Sequence, residues 1–291
     1  MHHANAFYGH ADVLARYCGV ADPGPIWGYL QHGWNLHDGF AVGHEFTPGT
    51  PKFVWSESVR RRGWSLGQRD YVVVGAPWSY LLAMQPKPPP AGEGTIVYPF
   101  HGWEGQQIVG DHAAYADEVR AMEGDVPLTM CLYWNDYERP EIRKIYADKG
   151  FRVITHGRRG HMNAGGDTDF LDAQLAEMSA HRRVVSNRLG SALLYGASLG
   201  REIGVYGDPM VLQNDHAVLG GMARQLRLFP QLHTPQVDPA DAQRVATSEL
   251  GIDQRWTPQA LRHRLGWQDC DPLPAAETAP RPEEEEPRGL Q

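Results

Sequence analysis

The feature that most constrains this chain is an alternation. Short apolar, β-branched runs, each closed by a polar turn, take turns with helix-patterned stretches. Residues 52–56 (KFVWS) alternate about apolar positions and read as a strand. Residues 57–64 follow as a helix with a basic face, and residues 71–74 are a β-branched run stopped by Gly75-Ala76-Pro77. Strand, helix, strand in this order is what a parallel sheet produces, because each parallel pair needs a crossover between its strands. Ahead of these, residues 11–17 are helix-like and residues 26–31 form an apolar, aromatic strand that ends at His32-Gly33-Trp34.

A break follows at residues 86–94 (PKPPPAGEG), whose Pro and Gly content predicts an extended linker and a domain boundary. The alternation then restarts. Strands are predicted at 95–99, 128–133, 151–155, 184–186 and 203–206, with helices at 112–122, 138–149, 169–178 and 191–199 between them. Gly150 stands in the position that closes a helix. This predicts a doubly wound lobe, in which ligands gather at the carboxyl ends of the strands. After Pro209 the pattern stops, with helices predicted only at 216–228 and 258–265. The expected fold is therefore α/β: two Rossmann-like lobes facing across a cleft, the first one shortened. The expected units are residues 1–92, residues 93–232, a helical segment 233–268, and a Pro- and Glu-rich tail 269–291 that cannot bury enough apolar surface to order itself.

Composition narrows the class of partner. A net charge of −8 over 291 residues argues against nucleic acid, whose phosphates call for a basic face. The three cysteines, Cys18, Cys131 and Cys270, are too far apart and too few for a disulfide framework or a zinc site, which points to a reducing compartment. No secretory pattern opens the sequence and no apolar run is long enough to span a bilayer, so a cytoplasmic enzyme is expected. The nine tryptophans and twelve tyrosines are read mainly as packing, with stacking on sugars or bases as the sharper reading for some of them.

If the strands are parallel, the loops after them share one face, and these loops are the site candidates. They carry His32-Gly33-Trp34, Ser56-Glu57-Ser58, Gly75-Ala76-Pro77, His101-Gly102-Trp103-Glu104, Tyr133-Trp134-Asn135-Asp136, His156-Gly157-Arg158-Arg159 and Ser186-Asn187-Arg188-Leu189-Gly190-Ser191. In the last, a short strand meets a turn whose small residues open an apolar helix. The free N–H groups and partial positive charge of such a helix start suit a diphosphate, with Gly190 permitting close approach and Ser191 adding a hydroxyl. Plain N-capping explains the same residues. It is not a Walker loop, since no Gly-Lys-Ser/Thr follows. His32 and His101 each follow a strand end and precede a glycine, where an imidazole serves as a general base, as a phosphate donor, or simply as a bonded turn residue. Arg158 and Arg159 suit phosphate or carboxylate. Asp167-Thr168-Asp169 has the form of a metal-binding pair but precedes a helix, and capping is the favoured reading.

Taken together, these segments resemble the two-lobed (GT-B) glycosyltransferases, and among them the capsule and wall-polymer transferases that include the CDP-glycerol glycerophosphotransferases. The resemblance is carried by Gln31-His32-Gly33 after a first-lobe strand, by Gly75-Ala76-Pro77, by Val97-Tyr98-Pro99-Phe100-His101 opening the second lobe, and by Asn187 to Ser191 leading into a helix. It spans residues 26–206. The family's His-Pro pair is replaced by Tyr133-Trp134-Asn135-Asp136, and its donor turn by Ser-Asn-Arg-Leu-Gly-Ser, so CDP-glycerol is not assigned as the donor.

The resemblance implies a metal-independent, inverting transfer of a sugar from a nucleotide-sugar donor to a small-molecule or glycan acceptor, with no cofactor. It implies donor contacts from His101, Gly102, Tyr133, Asn135, Gly157, Arg158, Ser186, Asn187, Gly190 and Ser191, and acceptor contacts from Gly33 and Trp34. His32 is the implied base, with Glu57 or Glu104 as alternatives. Donor binding would close the lobes about residues 86–94, and a second copy of the chain would complete the short acceptor side as a homodimer. A sugar-nucleotide epimerase or hydrolase on the same fold, and a non-catalytic nucleotide-sugar-binding subunit, are the competing readings.

Overall fold

The computed structural model describes residues 3–40, 46–86, 90–160, 165–213 and 221–272. A 3₁₀ segment, His3–Gly9, leads into helix α1 (His10–Cys18). Three strands follow, β1 (Tyr29–Leu30), β2 (Lys52–Val54) and β3 (Tyr71–Val73), with α2 (Glu57–Ser65) crossing between the second and third. They pair in parallel in the order β1-β2-β3, Leu30 opposite Phe53 and Lys52 opposite Tyr71. Ser56 caps α2 by accepting from the Val59 N–H at 3.3 Å. Gly63 lets α2 lie directly on Tyr71, since a Cβ there would come within 2.4 Å of the ring. Helix α3 (Pro77–Ala83) begins immediately after the Gly75-Ala76 turn. It was not expected from the sequence, where Pro77 read as a stop. Its ring instead takes the first helical turn, where no N–H is needed.

The second sheet holds β4 (Thr95–Val97), β6 (Leu128–Cys131), β7 (Arg152–Ile154), β8 (Arg183–Ser186) and β9 (Glu202–Val205). Its short neighbours β5 (Ile108–Val109) and β10 (Val211–Leu212) pair antiparallel with each other. The crossovers are α4 (His112–Glu123), the short α5 (Trp134–Tyr137) with α6 (Pro140–Asp148), α7 (Phe170–Ser179) and α8 (Ser191–Ser198). All five strands are parallel, in the order β7-β6-β4-β8-β9. The chain therefore works outward from β4 in one direction, then returns to build β8 and β9 on its other side. The carboxyl ends of β4 and β8 flank the point where the winding reverses, which is where doubly wound sheets hold ligands. Gly150 adopts φ +80° just beyond α6, the closing role expected of it. Beyond β10 come α9 (Gly221–Leu228), α10 (Pro239–Leu250) and α11 (Pro258–Leu265). Part of the helix expected at 216–228, and most of the tail 269–291, lie outside the described residues. Helix α10 was not expected, although Asp238 caps it and Pro239 opens it.

Strand residues alternate between two cores, as the pleat requires. Ile96 and Val184 face a core shared with Leu193, Leu194 and Tyr195 of α8. Val97 and Val185 face another, with Tyr115, Val119, Ile142 and Tyr146 from α4 and α6. The first of these cores is continuous with the first lobe, for it also contains Phe53, Trp55, Trp78 and Leu250. Trp78 stacks on Tyr195 with centroids 4.3 Å apart and planes 10° from parallel, and its indole N–H donates to Ser198 Oγ at 2.9 Å. The closure expected about residues 86–94 meets this shared core. Trp78 and Tyr195 are both buried, so the lobes meet across a packed core as well as through the chain itself. The Gly92 and Glu93 N–H groups are in fact bonded to the carbonyls of Ser179 and Ala180.

Candidate functional site

At the carboxyl ends of the second sheet a cavity of about 440 Å³ opens beneath the loop that follows β1. That volume lies in the range, about 300–1,000 Å³, of small-molecule sites. One wall is Tyr98, Pro99, Phe100 and His101 after β4. The facing wall is Ser186 and residues 188–193, running into α8. His32, Gly33 and Trp34 cover it from the first lobe, and Tyr8 enters from the N-terminal segment.

The turn after β8 is held rigidly. Ser186 Oγ accepts from the Arg188 N–H at 3.1 Å. The Gln225 side chain of α9 bonds both backbone groups of Leu189 at 3.1 Å. Asn187, which does not line the cavity, braces the opposite wall: its carbonyl accepts from Phe100 N at 2.6 Å and its amide donates to Asp208 O at 2.7 Å. Gly190 is extended, and no atom lies within 4 Å of where a Cβ would sit, so the space beside it is open to a ligand. The first N–H groups of α8 have no acceptor within the helix. Arg188 adds a fixed charge at this end. Its guanidinium lies 3.8 Å from the centre of the Phe100 ring and donates to Pro209 O at 2.6 Å and to Met210 O.

Ser191 has a second role that the sequence did not reveal. Its Oγ accepts from the Trp34 N–H at 3.0 Å, tying the first lobe's loop to α8 while leaving the hydroxyl proton available for donation. Trp34 is pinned again through its indole N–H, which donates to Glu249 Oε2 at 2.7 Å. Arg62 grips both oxygens of that carboxylate at 3.1 and 2.7 Å and reaches His37 O at 3.0 Å. The His32 ring packs edge-on to Phe7, and the backbone N–H of His32 donates to Gly39 O at 3.3 Å.

Nine of the residues given a catalytic, donor or acceptor role from the sequence share the cavity wall: His32, Gly33, Trp34, His101, Tyr133, Gly157, Ser186, Gly190 and Ser191. His101 stacks on Tyr133 at 4.3 Å. Gly157, at φ +96°, sits where any Cβ would strike the Asp167 carboxylate. Glu57, Glu104, Gly102, Asn135, Arg158 and Asn187 are placed outside the lining. Glu57 pairs with Arg60 at 2.6 Å on α2. Glu104 is engaged by Arg159 at 2.6 Å, by the Tyr133 hydroxyl at 2.9 Å and by the Trp134 indole at 3.2 Å. Burial alone would raise its pKa, but the bond and charge of Arg159 with help from Tyr133 hold it down at about 2. Asp167 accepts from the Arg158 N–H at 2.7 Å, and Asp169 stands at the cap position of α7 without a capping bond. No group of three or more potential metal ligands occurs among the described residues.

Sequence reasoning missed Tyr8 and Gln174, and it noted Tyr98 and His156 in their strand-end segments without giving either a role, although all four line the cavity. Tyr8 has φ +57°, uncommon for a non-glycine residue, and its N–H bonds Arg159 O at 2.8 Å. His156 is buried, which lowers its pKa to about 4, and its Nε2 shares a hydrogen bond of 2.8 Å with the Tyr98 hydroxyl. Among the described lining residues none is an aspartate or glutamate, and Arg188 is the one with a permanent charge.

No protein family's sequence profile matches the chain, and no curated protein matches it by sequence. Solved structures do align with it. The S. aureus MnaA–UDP co-structure is 9% identical, with 75% of this chain on 61% of that one and a TM-score of 0.39. A UDP-GlcNAc 2-epimerase from Neisseria meningitidis bound to UDP-GlcNAc is 12% identical, with coverage of 72% and 59% and a TM-score of 0.34. The wall teichoic acid polymerase TagF is 8% identical, with coverage of 80% and 65% and a TM-score of 0.39. The chain spans less than two thirds of the length of each of these. No helix among the described residues is long and apolar enough to cross a membrane.

Proposed function

We propose that the cavity binds a nucleoside-diphosphate sugar and that the chain transfers the sugar to a small-molecule or glycan acceptor. One observation carries the reading: the start of α8 and Arg188 form a cationic, N–H-rich end at the winding reversal, and His32 covers the same cavity from the other lobe. In this reading the diphosphate lies along Gly190 and Ser191. The acceptor oxygen bonds to the anomeric carbon as the bond from that carbon to the phosphate oxygen breaks, and inversion follows from attack opposite the leaving group. The acceptor's proton passes to the His32 imidazole, because no carboxylate among the described lining residues offers itself as base. The same lack of carboxylates leaves the leaving-group charge to the helix terminus and Arg188 rather than to a divalent cation.

A second reading is favoured by the size of the site. A cavity of about 440 Å³ beside a three-stranded first lobe leaves little room for a large acceptor, which suits a reaction on the donor alone, epimerisation or hydrolysis.

A thermal-shift series with UDP, GDP, CDP, CMP and TDP, with and without magnesium, tests the common ground. A ligand that binds the folded chain raises its melting temperature by mass action. One nucleoside diphosphate is expected to do so without magnesium, and no shift with any of them refutes the proposal. Product analysis with the matching nucleotide sugar then separates the readings: transfer needs an acceptor, whereas a free sugar or epimer formed without one establishes the second. His32→Ala is expected to abolish transfer and to leave diphosphate binding within about threefold.

A further inference from the structure

The cavity has two chemically different halves. Toward β8 and α8 lie Arg188, Gly190 and Ser191. Toward β7 and α7 lie Tyr98, His156 and Gln174, with Tyr8 and Phe170 beside them. The second half has no part in binding phosphate as described above.

Three polar side chains meet there, and two of them, His156 and Gln174, are more than nine-tenths buried, at 8% and 6% exposure. The Tyr98 hydroxyl shares a 2.8 Å hydrogen bond with His156 Nε2 and also meets the Gln174 side chain. These bonds do not exhaust them. A glutamine amide has two donors and two acceptor lone pairs, a phenol one donor and two, and a neutral imidazole one of each. Every group in the set both donates and accepts, and none carries a fixed charge. Partners that themselves both donate and accept, as hydroxyl groups do, can satisfy every remaining position of such a set. Aromatic faces complete the enclosure: Phe170 stands edge-on to Tyr8 at 5.0 Å and to His156 at 5.7 Å. Such faces pack against the C–H surface of a saturated ring. A carboxylate brought to this half would lose its hydration, while the one permanently charged lining residue, Arg188, stands in the other half beside α8.

We infer that Tyr98, His156 and Gln174 form the subsite for the transferred group, and that this group is an uncharged, hydroxyl-rich sugar ring rather than a uronic acid. The inference rests on the nucleotide-sugar reading and adds the chemistry of the sugar to it. His32 and Tyr8 line the same cavity, so a ring held by the trio lies in the space that the proposed base also faces.

The test uses isothermal titration with UDP, UDP-glucose and UDP-glucuronate, or the same set built on whichever diphosphate the thermal-shift series selects. The full-length wild type is compared with Gln174→Met and Tyr98→Phe. Wild type is expected to bind the glucose conjugate more tightly than the bare diphosphate and at least tenfold more tightly than the glucuronate. Each variant is expected to bind the bare diphosphate within twofold of wild type and the glucose conjugate about tenfold more weakly, the scale of one lost buried hydrogen bond. If no diphosphate binds wild type, the nucleotide-sugar reading itself fails. If the diphosphate binds but the variants leave the glucose conjugate unaffected, or the glucuronate binds as tightly, the subsite is refuted while that reading stands. Should a variant fail to fold, the wild-type comparison of neutral and acidic sugars decides alone.

Discussion

The Trp34 N–H donates to the Ser191 hydroxyl at 3.0 Å, so the first lobe's cavity loop is bonded to the first residue of the helix that closes the cavity from the second lobe. The two halves of the proposed site are thus positioned by one hydrogen bond as well as by the core beneath them. Ser191→Ala removes the acceptor and keeps the helix. It is expected to lower stability by about 0.5–1.5 kcal/mol in urea unfolding, the net worth of a hydrogen bond. Diphosphate affinity is expected to fall severalfold in the same variant, because the hydroxyl is lost as a donor too. An unchanged urea midpoint would show that the tie contributes nothing.

Glu249 is the floor of the same loop. Its carboxylate is 4% exposed and holds both the Trp34 indole and the Arg62 guanidinium. Glu249→Leu removes the partner of the half-buried Arg62 and the acceptor of the Trp34 indole and is expected to cost about 3 kcal/mol, whereas the double variant Arg62→Leu with Glu249→Leu should recover much of that loss. Urea midpoints of the two single variants and the double variant measure the coupling. A loss below about 1 kcal/mol in Glu249→Leu contradicts the arrangement.

The core that runs from Trp78 through Tyr195 makes a further demand: the lobes unfold together. Calorimetry is expected to show one transition, and Trp78→Ala is expected to move the whole of it downward by an amount equal to about 3–5 kcal/mol. Two resolved transitions, with only one affected by the substitution, would mean that the lobes are separate cooperative units.

Much of this was legible in the sequence for a physical reason. Parallel strands are buried on both faces and announce themselves as apolar runs, and the turns that end them must be polar and small where a ligand approaches. His32, Gly190 and Ser191 were found that way. The side chains that arrive from elsewhere were not. Gln174 lies mid-helix on α7, where a polar residue ordinarily faces water, and only the packing of α7 beneath the sheet turns it inward. Tyr8 belongs to a segment whose course is set by tertiary bonds, Asn5 to Leu30 at 2.8 Å and Tyr8 to Arg159 at 2.8 Å, and no local pattern marks it. Glu104 sits in a strand-end loop as expected, yet it is held by Arg159 from a distant loop, a pairing that spacing does not reveal, whereas Glu57 opens α2 and pairs with Arg60 one turn along.

Acid should destabilise the chain in two stages. Burial lowers the pKa of His10 to about 3 and of His156 to about 4, both from 6.5. In the unfolded chain these imidazoles take up a proton near 6.5, but in the folded one they resist it. Their neutral burial therefore stabilises in full above about pH 6.5 and ever less as pH falls toward 4 and 3. Glu104 acts lower down. Burial raises its pKa and Arg159 more than reverses that, taking it from 4.5 to about 2. Its contribution is present above pH 4.5 and disappears as pH falls through about 2. Urea midpoints at closely spaced pH values are expected to decline first between pH 6.5 and 4 and again below 4.5. Glu104→Gln should flatten the lower decline and leave the upper one, whereas His156→Gln should reduce the upper one. A wild-type midpoint that is flat from pH 7 to pH 5 would refute the neutral, buried state of the two histidines, and with it the uncharged character of the Tyr98–His156–Gln174 subsite.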